Sequence, residues 1–250
     1  MYKHSLIFTL VLFVSANSFA EIIHIATGEY PPLTSESLDH GGYINRIVSS
    51  AFALSNIEVK YHYMPWKRAL ETTRIGQFQA SSFWGDSKKR HKDFIHSDVI
   101  DKIHFIFFYR TQNKNFTWNT LNDLQHYKIG ATRGYTYTEA FWSLKNKDQF
   151  RISIANDDTE NLKRLIKGQI DIFPISKLTG MFLLSKNFTK DEAAKVSLYP
   201  KALSQGKNLL LFSKLSPGNE VLVEKFNQGL KILKEQNKLA LFRQELVGSE

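Results

Sequence analysis

The feature that most limits the folds open to this chain is a regular alternation of strand-like and helical segments. Short apolar runs typical of buried strands occur along most of the sequence: IIHIA (22–26), IEVKYHY (57–63), QASSF (79–83), IHFIFFY (103–109), YKIGAT (127–132), RISIA (151–155), IDIFPI (170–175) and NLLLF (208–212). Helical periodicity separates most of them, as where Ile44, Ile47 and Val48 share one face. The pattern predicts an α/β fold with mostly parallel sheets and helices on both faces.

Two stretches of the chain repeat one local pattern. IGQFQASSF (75–83) and KGQIDIFPI (167–175) each run from the end of a helix through Gly-Gln into a strand, which predicts two lobes of like topology. The polar stretch 110–120 is typical of a crossing between lobes, and a return near 199–205 makes the first lobe discontinuous. Two helices are predicted after Pro217. The predicted domains are a leader at 1–20, lobe 1 at 21–110 and 203–250, and lobe 2 at 111–202.

The first 20 residues have the pattern of a secretory signal peptide. Lys3 gives a charged start, residues 6–14 form an apolar run, and Ser18-Phe19-Ala20 is a small-x-small exit. The run is far shorter than the roughly 18 to 20 apolar residues that span a bilayer. Because the chain has no cysteine, disulfides, thiolate metal sites and a lipidated N-terminal cysteine are excluded. We therefore expect cleavage after Ala20 and a periplasmic protein.

The formal net charge of the whole chain is +9, which raises the question of a nucleic-acid partner. The basic residues are scattered, no zinc-finger, RNP or helix-turn-helix signature is present, and the protein is predicted to be exported. We therefore expect no nucleic-acid partner. An anionic small molecule fits the charge better.

The most chemically dense stretch is SSFWGDSKKRHKDFIHSD (81–98). It is compatible with a nucleic-acid patch, a metal site or a clamp for one small anion. Its ligand-type residues His91, Asp93, His96 and Asp98 have a spacing that matches neither one helix face nor a known metal motif. A polar loop that leads into a strand is the prediction, with no metal. The chain also has no G-x-S-x-G motif, P-loop or cysteine, so no catalytic residue or cofactor is predicted.

A second candidate lies in RGYTYTE (133–139). Thr136 and Glu139 have the spacing of a capping box, which predicts a helix that begins at Thr136. Gly134 would let the backbone approach a ligand closely, and the free N–H groups of a helix start suit a carboxylate. The alternative is an ordinary capped helix that faces water.

Aromatic residues recur where predicted strands end. Tyr30 is followed by two prolines after the first strand, Trp66 opens a helix, and Phe83-Trp84 precede Gly85 after another strand. Ligands of open α/β sheets bind outside the carboxyl ends of strands. These aromatics therefore predict the walls of a binding site, although some could pack against neighbouring loops.

Taken in order, these motifs resemble one known family. A signal peptide, EYPP after the first strand, PWKRAL, S-K-K-R-x-K-D-F-x-x-S-D, the stretch 133–137 and G-Q-I-D-I are similar to those of the bacterial extracellular solute-binding proteins of the polar-amino-acid type (family 3). The resemblance covers essentially all of the chain after residue 20. It implies the two-lobed periplasmic binding protein fold (type II), with two hinge crossings and closure on a ligand.

The resemblance also implies roles for individual residues. The family's carboxylate-binding arginine closes a Ser/Thr-x-x-Arg turn, which here is Ser87–Arg90, so the dense stretch is interpreted as an anion clamp. Tyr30 and Trp66 match its aromatic positions, and Thr136 its helix-start hydroxyl. The complete set of ligand-binding residues expected is Tyr30, Trp66, Phe83, Trp84, Gly85, Arg90, Arg133, Gly134, Tyr135, Thr136 and Ser176.

Two positions depart from the family pattern. The aspartate that takes the ligand's α-ammonium group is expected five residues after Asp171, where this chain has Ser176. Gln79 stands where the corresponding aspartate of the first lobe would be. A standard amino acid ligand is therefore in question, unless Glu29 or Asp157 substitutes or the ligand lacks an ammonium group.

The function expected from the resemblance is delivery of a small carboxylate-bearing solute to an inner-membrane ABC permease, by a monomer with no cofactor. One alternative is an enzyme on the same scaffold, such as a periplasmic dehydratase of the prephenate type. Another is a sensor whose closed form docks on a membrane receptor.

Overall fold

The computed structural model describes residues 21–133, 135 and 137–247. The predicted signal peptide and the candidate ligand residues Gly134 and Thr136 lie outside the described residues. No helix among the described residues has the length and apolar character needed to cross a membrane.

The described elements follow the predicted alternation. The strands are β1 (Glu21–Thr27), β2 (Ile57–Tyr63), β3 (Ala80–Gly85), β4 (Phe94–His96), β5 (Asp101–Arg110), β6 (Lys128–Thr132), β7 (Arg151–Ala155), β8 (Ile172–Ser176) and β9 (Val196–Ser213). The helices are α1 (Tyr43–Ala53), α2 (Trp66–Arg74), α3 (Glu139–Ser143), α4 (Asp158–Ile166), α5 (Lys177–Asn187), α6 (Lys190–Ala193), α7 (Asn219–Glu235) and α8 (Lys238–Val247). Short 3-10 turns occupy Asp39–Gly41, Lys88–Lys92, Leu121–His126 and Leu144–Asn146.

The strands form one continuous sheet in the order β2-β1-β3-β9-β5-β8-β6-β7, with β4 also paired to β9. β1 is parallel to β2 and β3, and β6 is parallel to β7 and β8. The long strands β5 and β9 run antiparallel to each other and to their neighbours β8 and β3. The two ends of the sheet therefore repeat one arrangement, and β5 and β9 join them, as the predicted pair of like lobes requires.

Successive residues of β5 pack in different hydrophobic cores. Ile103 packs in the cluster formed by β1, α1 and α7, whereas Ile106 and Phe107 belong to two clusters of the second half of the chain. A register shift in the β5–β9 pair lies between Phe105 and Ile106. The chain thus passes between the cores a few residues before the predicted boundary at 110/111, and the exact lobe limits remain a prediction.

The segment 110–120, predicted as a crossing between the lobes, carries two rings that pack in the second core. Phe116 and Trp118 are buried in the second core, where both rings pack edge-on against Phe107. The polar residues around these two rings gave the segment the composition of a linker. Its two large rings anchor it to the second lobe instead.

The predicted start of the helix after β6 is wrong. α3 begins at Glu139, and the hydroxyl oxygen of Thr138 accepts a hydrogen bond from the N–H of Phe141 at 3.0 Å. Thr138 therefore caps this helix, and Glu139 is its first residue rather than the third position of a capping box. The free N–H groups of the helix lie two residues later in the chain than the sequence predicted.

Candidate functional site

Three aromatic rings of the first lobe form one side of the candidate site. Tyr30, in the loop after β1, stacks on Phe83 with ring centroids 5.4 Å apart and an angle of 26° between the planes. Trp66, the first residue of α2, lies 6.0 Å from Phe83. A hydrogen bond of 2.7 Å from the N–H of Tyr30 to the carbonyl of Thr34 holds the loop that carries Tyr30. These rings come from three separate elements: the loop after β1, the start of α2 and the strand β3.

The local backbone brings two of these rings into place. Phe83 has a φ of +65° and lies at a register shift between Ser81 and Trp84 in the β3–β9 pair. A β-bulge of this kind redirects a side chain, and a bulky residue with positive φ stores strain that other contacts must offset. Gly28 leaves space for the other ring, because a Cβ there would lie 2.4 Å from Trp66.

Arg90, on the Lys88–Lys92 turn, contacts Trp84, whose ring lies 5.5 Å from that of Trp66. Its guanidinium carbon lies 4.8 Å from the centroid of the Trp84 ring, and its Nη1 donates to the carbonyl of Gly85 at 2.7 Å. The Trp84 indole N–H in turn donates to Ser81 Oγ at 2.7 Å. Burial lowers the pKa of Arg90, although a guanidinium stays charged in proteins. One N–H group is thus committed to Gly85, and the others stay available for an anion.

The second lobe contributes a buried carboxylate that the sequence analysis did not identify. Asp158, the first residue of α4, is 7% exposed. Its two carboxylate oxygens accept hydrogen bonds of 2.6 Å each from the hydroxyls of Thr132 and Tyr135. Burial raises the pKa of Asp158, and the two hydroxyl donors act against that rise. The two O–H···O contacts have the length typical of bonds to an ionised carboxylate.

The two lobes meet through Tyr30 and Tyr135, whose ring centroids lie 5.8 Å apart in an edge-on arrangement. Phe105 of β5 lies beneath, 6.3 Å from the Tyr135 ring. Among the described residues, the hydroxyl groups of Tyr30 and of Thr179 in α5 are buried without a hydrogen bond of ordinary geometry. Burial raises the pKa of Tyr30, the charge of Asp158 adds to that rise, and the hydroxyls of Tyr135 and Thr179 act against it. The junction thus groups three hydroxyls beside a carboxylate.

Ser176 lies at the start of α5, 1% exposed, and its Oγ accepts a hydrogen bond from the N–H of Thr179 at 3.3 Å. It therefore caps the helix and supplies no charge. Asp157, one proposed substitute, caps α4 by accepting from the N–H of Glu160 at 2.8 Å. Glu29, the other, is exposed and accepts from the N–H of Glu36 at 2.8 Å. The structure places Asp158 beside the aromatic rings.

Other expected ligand residues lie at the edge of this group. Arg133 is exposed, and its Nε donates to the side-chain oxygen of Asn156 at 3.1 Å. Gly85 is exposed, and a Cβ there would meet nothing within 4 Å. Trp84 packs partly against the core residues Phe94 and Leu209. Trp84 still contacts the site through Trp66, with ring centroids 5.5 Å apart.

A cavity of about 620 Å³ lies elsewhere, at the starts of β5 and α5. Among the residues that line it are Lys102, His104, Ser176, Lys177 and Arg243. None of the residues at the ring junction lines it. Because a concave volume alone carries no chemistry, the converging rings of the junction and the buried carboxylate beside them identify the better candidate site.

One protein family matches the chain over nearly all of its length. Residues 22–248 match the family described as bacterial extracellular solute-binding proteins, family 3. The chain belongs to this family. The match covers both lobes and α7 and α8, and it confirms the resemblance carried by the sequence motifs.

Solved structures show the same fold at low sequence identity. A histidine kinase sensor domain with similarity to periplasmic binding proteins has a TM-score of 0.69 and 15% identity, over 92% of this chain and 97% of that one. An ancestral arginine-binding protein bound to arginine has a TM-score of 0.67 and 16% identity, over 92% and 100%. The substrate-binding protein of an amino acid ABC transporter has a TM-score of 0.63 and 15% identity, over 90% and 98%. The predicted two-lobed periplasmic binding protein fold is confirmed. No curated protein matches the chain in sequence.

Proposed function

We propose that this family 3 protein is a periplasmic, monomeric receptor that captures a small solute bearing a carboxylate and a cationic or aromatic portion. It delivers that solute to an inner-membrane ABC permease, and its lobes close on the ligand by hinge motion. Support comes from the family, whose members are extracellular solute-binding proteins. Further support comes from the amino acid ABC transporter component that shares its fold.

The observation that carries the proposal is a pair of opposite charges on the two lobes with aromatic rings beside each. Arg90 supplies a guanidinium with free N–H groups in the first lobe. Asp158 supplies a buried carboxylate in the second. A guanidinium fork binds a carboxylate well, and a carboxylate flanked by aromatic faces suits a cation.

This pairing answers the question raised by Ser176. A buried ammonium group without a counter-charge costs several kcal/mol, and Ser176 offers none. Asp158 lies on another element and carries the negative charge that the expected position lacks. We therefore assign the cationic part of the ligand to Asp158, at a place that differs from the one implied by the family pattern.

Sensing is a second candidate function, because a histidine kinase sensor domain shares the fold over nearly the whole chain. Lobe closure serves import and sensing equally. Permease and ATPase genes beside this one favour import, and a kinase gene favours sensing. The enzyme alternative needs an acid with a shifted pKa in the cleft. Asp158 meets that condition. The receptor proposal, in contrast, predicts that solute incubated with the protein is recovered unchanged.

The test is isothermal titration of refolded, ligand-stripped protein with defined probes: L-arginine, L-lysine, L-glutamate, glycine betaine and succinate. We expect binding by a probe that carries both charges. Arg90→Ala should weaken that binding by roughly 2 to 5 kcal/mol, or about 30- to 5,000-fold. Lys89→Ala is the matched control, because it removes a neighbouring exposed charge on the same turn.

Lys177→Ala tests the 620 Å³ cavity in the same assay, since Lys177 lines that cavity and not the ring junction. Affinity that falls with Lys177→Ala and not with Arg90→Ala would move the site to the cavity. Equal affinities in the Arg90 and Lys89 variants would remove the clamp assignment. Binding of none of the probes, or of succinate in preference to all of the others, would contradict the proposed ligand class.

A further inference from the structure

Asp86, His91 and His96 bring three metal-ligating side chains together beside the Lys88–Lys92 turn. Their ligand atoms all lie within 4.8 Å of one another. Asp86 Oδ1 lies 3.4 Å from His96 Nδ1 and 3.7 Å from His91 Nε2. The sequence analysis grouped the two histidines with Asp93 and Asp98 and expected a polar loop without a metal. In the folded protein the carboxylate beside the two histidines is instead that of Asp86, the residue that follows β3.

His96 is the second, independent sign of a ligand site. Its side chain is 7% exposed, and within the described part of the chain neither ring nitrogen makes a hydrogen bond of ordinary geometry, although Nδ1 faces Asp86, 3.4 Å from its Oδ1. Buried polar atoms almost always have a well-formed partner, so this imidazole calls for one.

We propose that Asp86, His91 and His96 form a binding site for a divalent first-row transition ion, with Zn²⁺ as its best probe. Two imidazoles and a carboxylate are ligands that Zn²⁺ accepts readily, whereas Ca²⁺ and Mg²⁺ prefer sets of oxygen ligands. Ligand bonds of about 2.0–2.2 Å in a tetrahedron place donor atoms about 3.3 Å apart. The two distances from Asp86 Oδ1 are already close to that value.

The elements that carry the three side chains allow the site to form with a small adjustment. His96 is fixed in β4, where it pairs with Leu211 of β9. His91 lies on the turn and is more exposed, and its ring stacks on that of His96 with centroids 3.7 Å apart. Stacked rings direct their nitrogens alongside each other, so the His91 ring has to tilt for both to bind one ion. Its exposed side chain is free to do so.

The surrounding charges limit the affinity. Arg90 is close enough to help lower the pKa of His96, and the same positive charge opposes a bound cation. Asp86 supplies the compensating negative charge. The ion would join the end of β3, the turn and β4, and would thus tie down the segment that carries Arg90.

The experiment uses purified protein without a histidine tag, stripped with a chelator and titrated with ZnCl₂ in competition with a chromophoric chelator. One Zn²⁺ per chain should bind, and excess Ca²⁺ or Mg²⁺ should not displace it. Outer-shell changes in metal sites already cost about 10- to 100-fold in affinity. Asp86→Asn, His91→Gln and His96→Gln each remove a direct ligand and should therefore weaken binding by about 100-fold or more.

Two control variants distinguish this site from nonspecific metal binding by surface side chains. Asp93→Asn removes a carboxylate from the same segment that is not part of the cluster. His62→Gln breaks a different histidine pair, in which His24 Nδ1 and His62 Nε2 lie 2.8 Å apart. Both variants should keep the wild-type affinity. Because His91 is exposed, its variant should fold even if the His96 variant does not, and circular dichroism checks this.

The proposal is overturned if His91→Gln binds Zn²⁺ as tightly as the unmodified protein, or if His62→Gln loses binding to the same extent. Absence of binding in the unmodified protein also overturns it. No organic solute is present in the assay, so its outcome is independent of the proposed receptor function.

Discussion

Replacement of Asp158 by asparagine should separate ligand binding from stability, because the two should move in opposite directions. The carboxylate is buried, and its hydrogen bonds come from two hydroxyl groups rather than from a cation. If it serves to neutralise a cationic ligand, the ligand-free protein bears the cost of burying it. Asparagine has the same shape and removes the charge.

The stability effect follows from two opposing terms. The hydroxyls of Thr132 and Tyr135 can rotate to accept from an amide as well as donate to it, so asparagine can keep both contacts. Each contact then falls from a charged hydrogen bond of about 1.5–3 kcal/mol to a neutral one of about 0.5–1.5 kcal/mol. Against this, removal of a buried charge relieves a desolvation penalty of several kcal/mol. We expect a net gain of about 1–2 kcal/mol in the free energy of unfolding.

The pH dependence of stability independently tests whether Asp158→Asn stabilises the protein. Burial raises the folded-state pKa of Asp158 above its unfolded value, so the folded protein binds more protons in the interval between the two values. Stability from this group is therefore fully present below the unfolded pKa of about 3.9 and is lost as the pH rises through the folded pKa. Asp158→Asn should abolish that loss, and its advantage should grow with pH across this interval.

The assay is thermal and urea unfolding of ligand-free protein across this pH range, followed by titration with the probe that the unmodified protein binds best. A gain of about 1–2 kcal/mol corresponds to a rise in Tm of roughly 2–8 °C for a chain of this size. Binding of a cationic probe should weaken by roughly 2–5 kcal/mol. A variant that is less stable at every pH and still binds the probe normally would show that Asp158 has a structural role alone.

Three further changes test other parts of the site. Gly28→Ala should displace the Trp66 ring, cost about 1–3 kcal/mol of unfolding free energy and weaken binding. Gly85→Ala has open space at its Cβ and should have none of these effects. Equal effects of the two substitutions would contradict the packing argument. Ser176→Asp should keep the helix cap and, in a titration with glycine, bind it about 10-fold more tightly, which is the value of one charged hydrogen bond. Unchanged affinity would remove this position from the site. Tyr135→Phe keeps the ring and removes a donor to a carboxylate, so urea unfolding should show a loss of about 1–3 kcal/mol; an unchanged midpoint would mean that the hydrogen bond contributes nothing.

The strands and helices could be predicted because their signals are local. A run such as 103–109 or the apolar face of α1 carries its periodicity within a few residues, and tertiary packing agrees with it. The start of α3 could not be predicted in the same way. Thr136 has a capping-box glutamate three positions later, Glu139, whereas Phe141 stands at that place after Thr138, so the local pattern favours the wrong threonine.

Asp158 was missed for a different reason. An acidic residue in the first turn of a helix is normally explained by the helix dipole, and Asp157 just before it satisfies the pattern of a cap. Its burial depends on Thr132 and Tyr135, which lie 26 and 23 positions away along the chain. No spacing rule connects residues at such separations. The grouping of Asp86 with two histidines was hidden in the same way, because it needs β3, the turn and β4 to meet.

The distribution of charge between the lobes is the reason we propose a solute with two charges rather than one. A ligand can shift a conformational equilibrium only by its difference in affinity for the two states. A solute that contacts Arg90 alone gains nearly the same free energy whether the lobes are apart or together. A solute that also meets Asp158 gains the second contact only when the lobes come together, and its own charge then offsets the cost of burying the carboxylate. Because Tyr30 and Tyr135 already touch in this structure, the proposed hinge motion would have to part these rings to admit a ligand and then bring both lobes back against it.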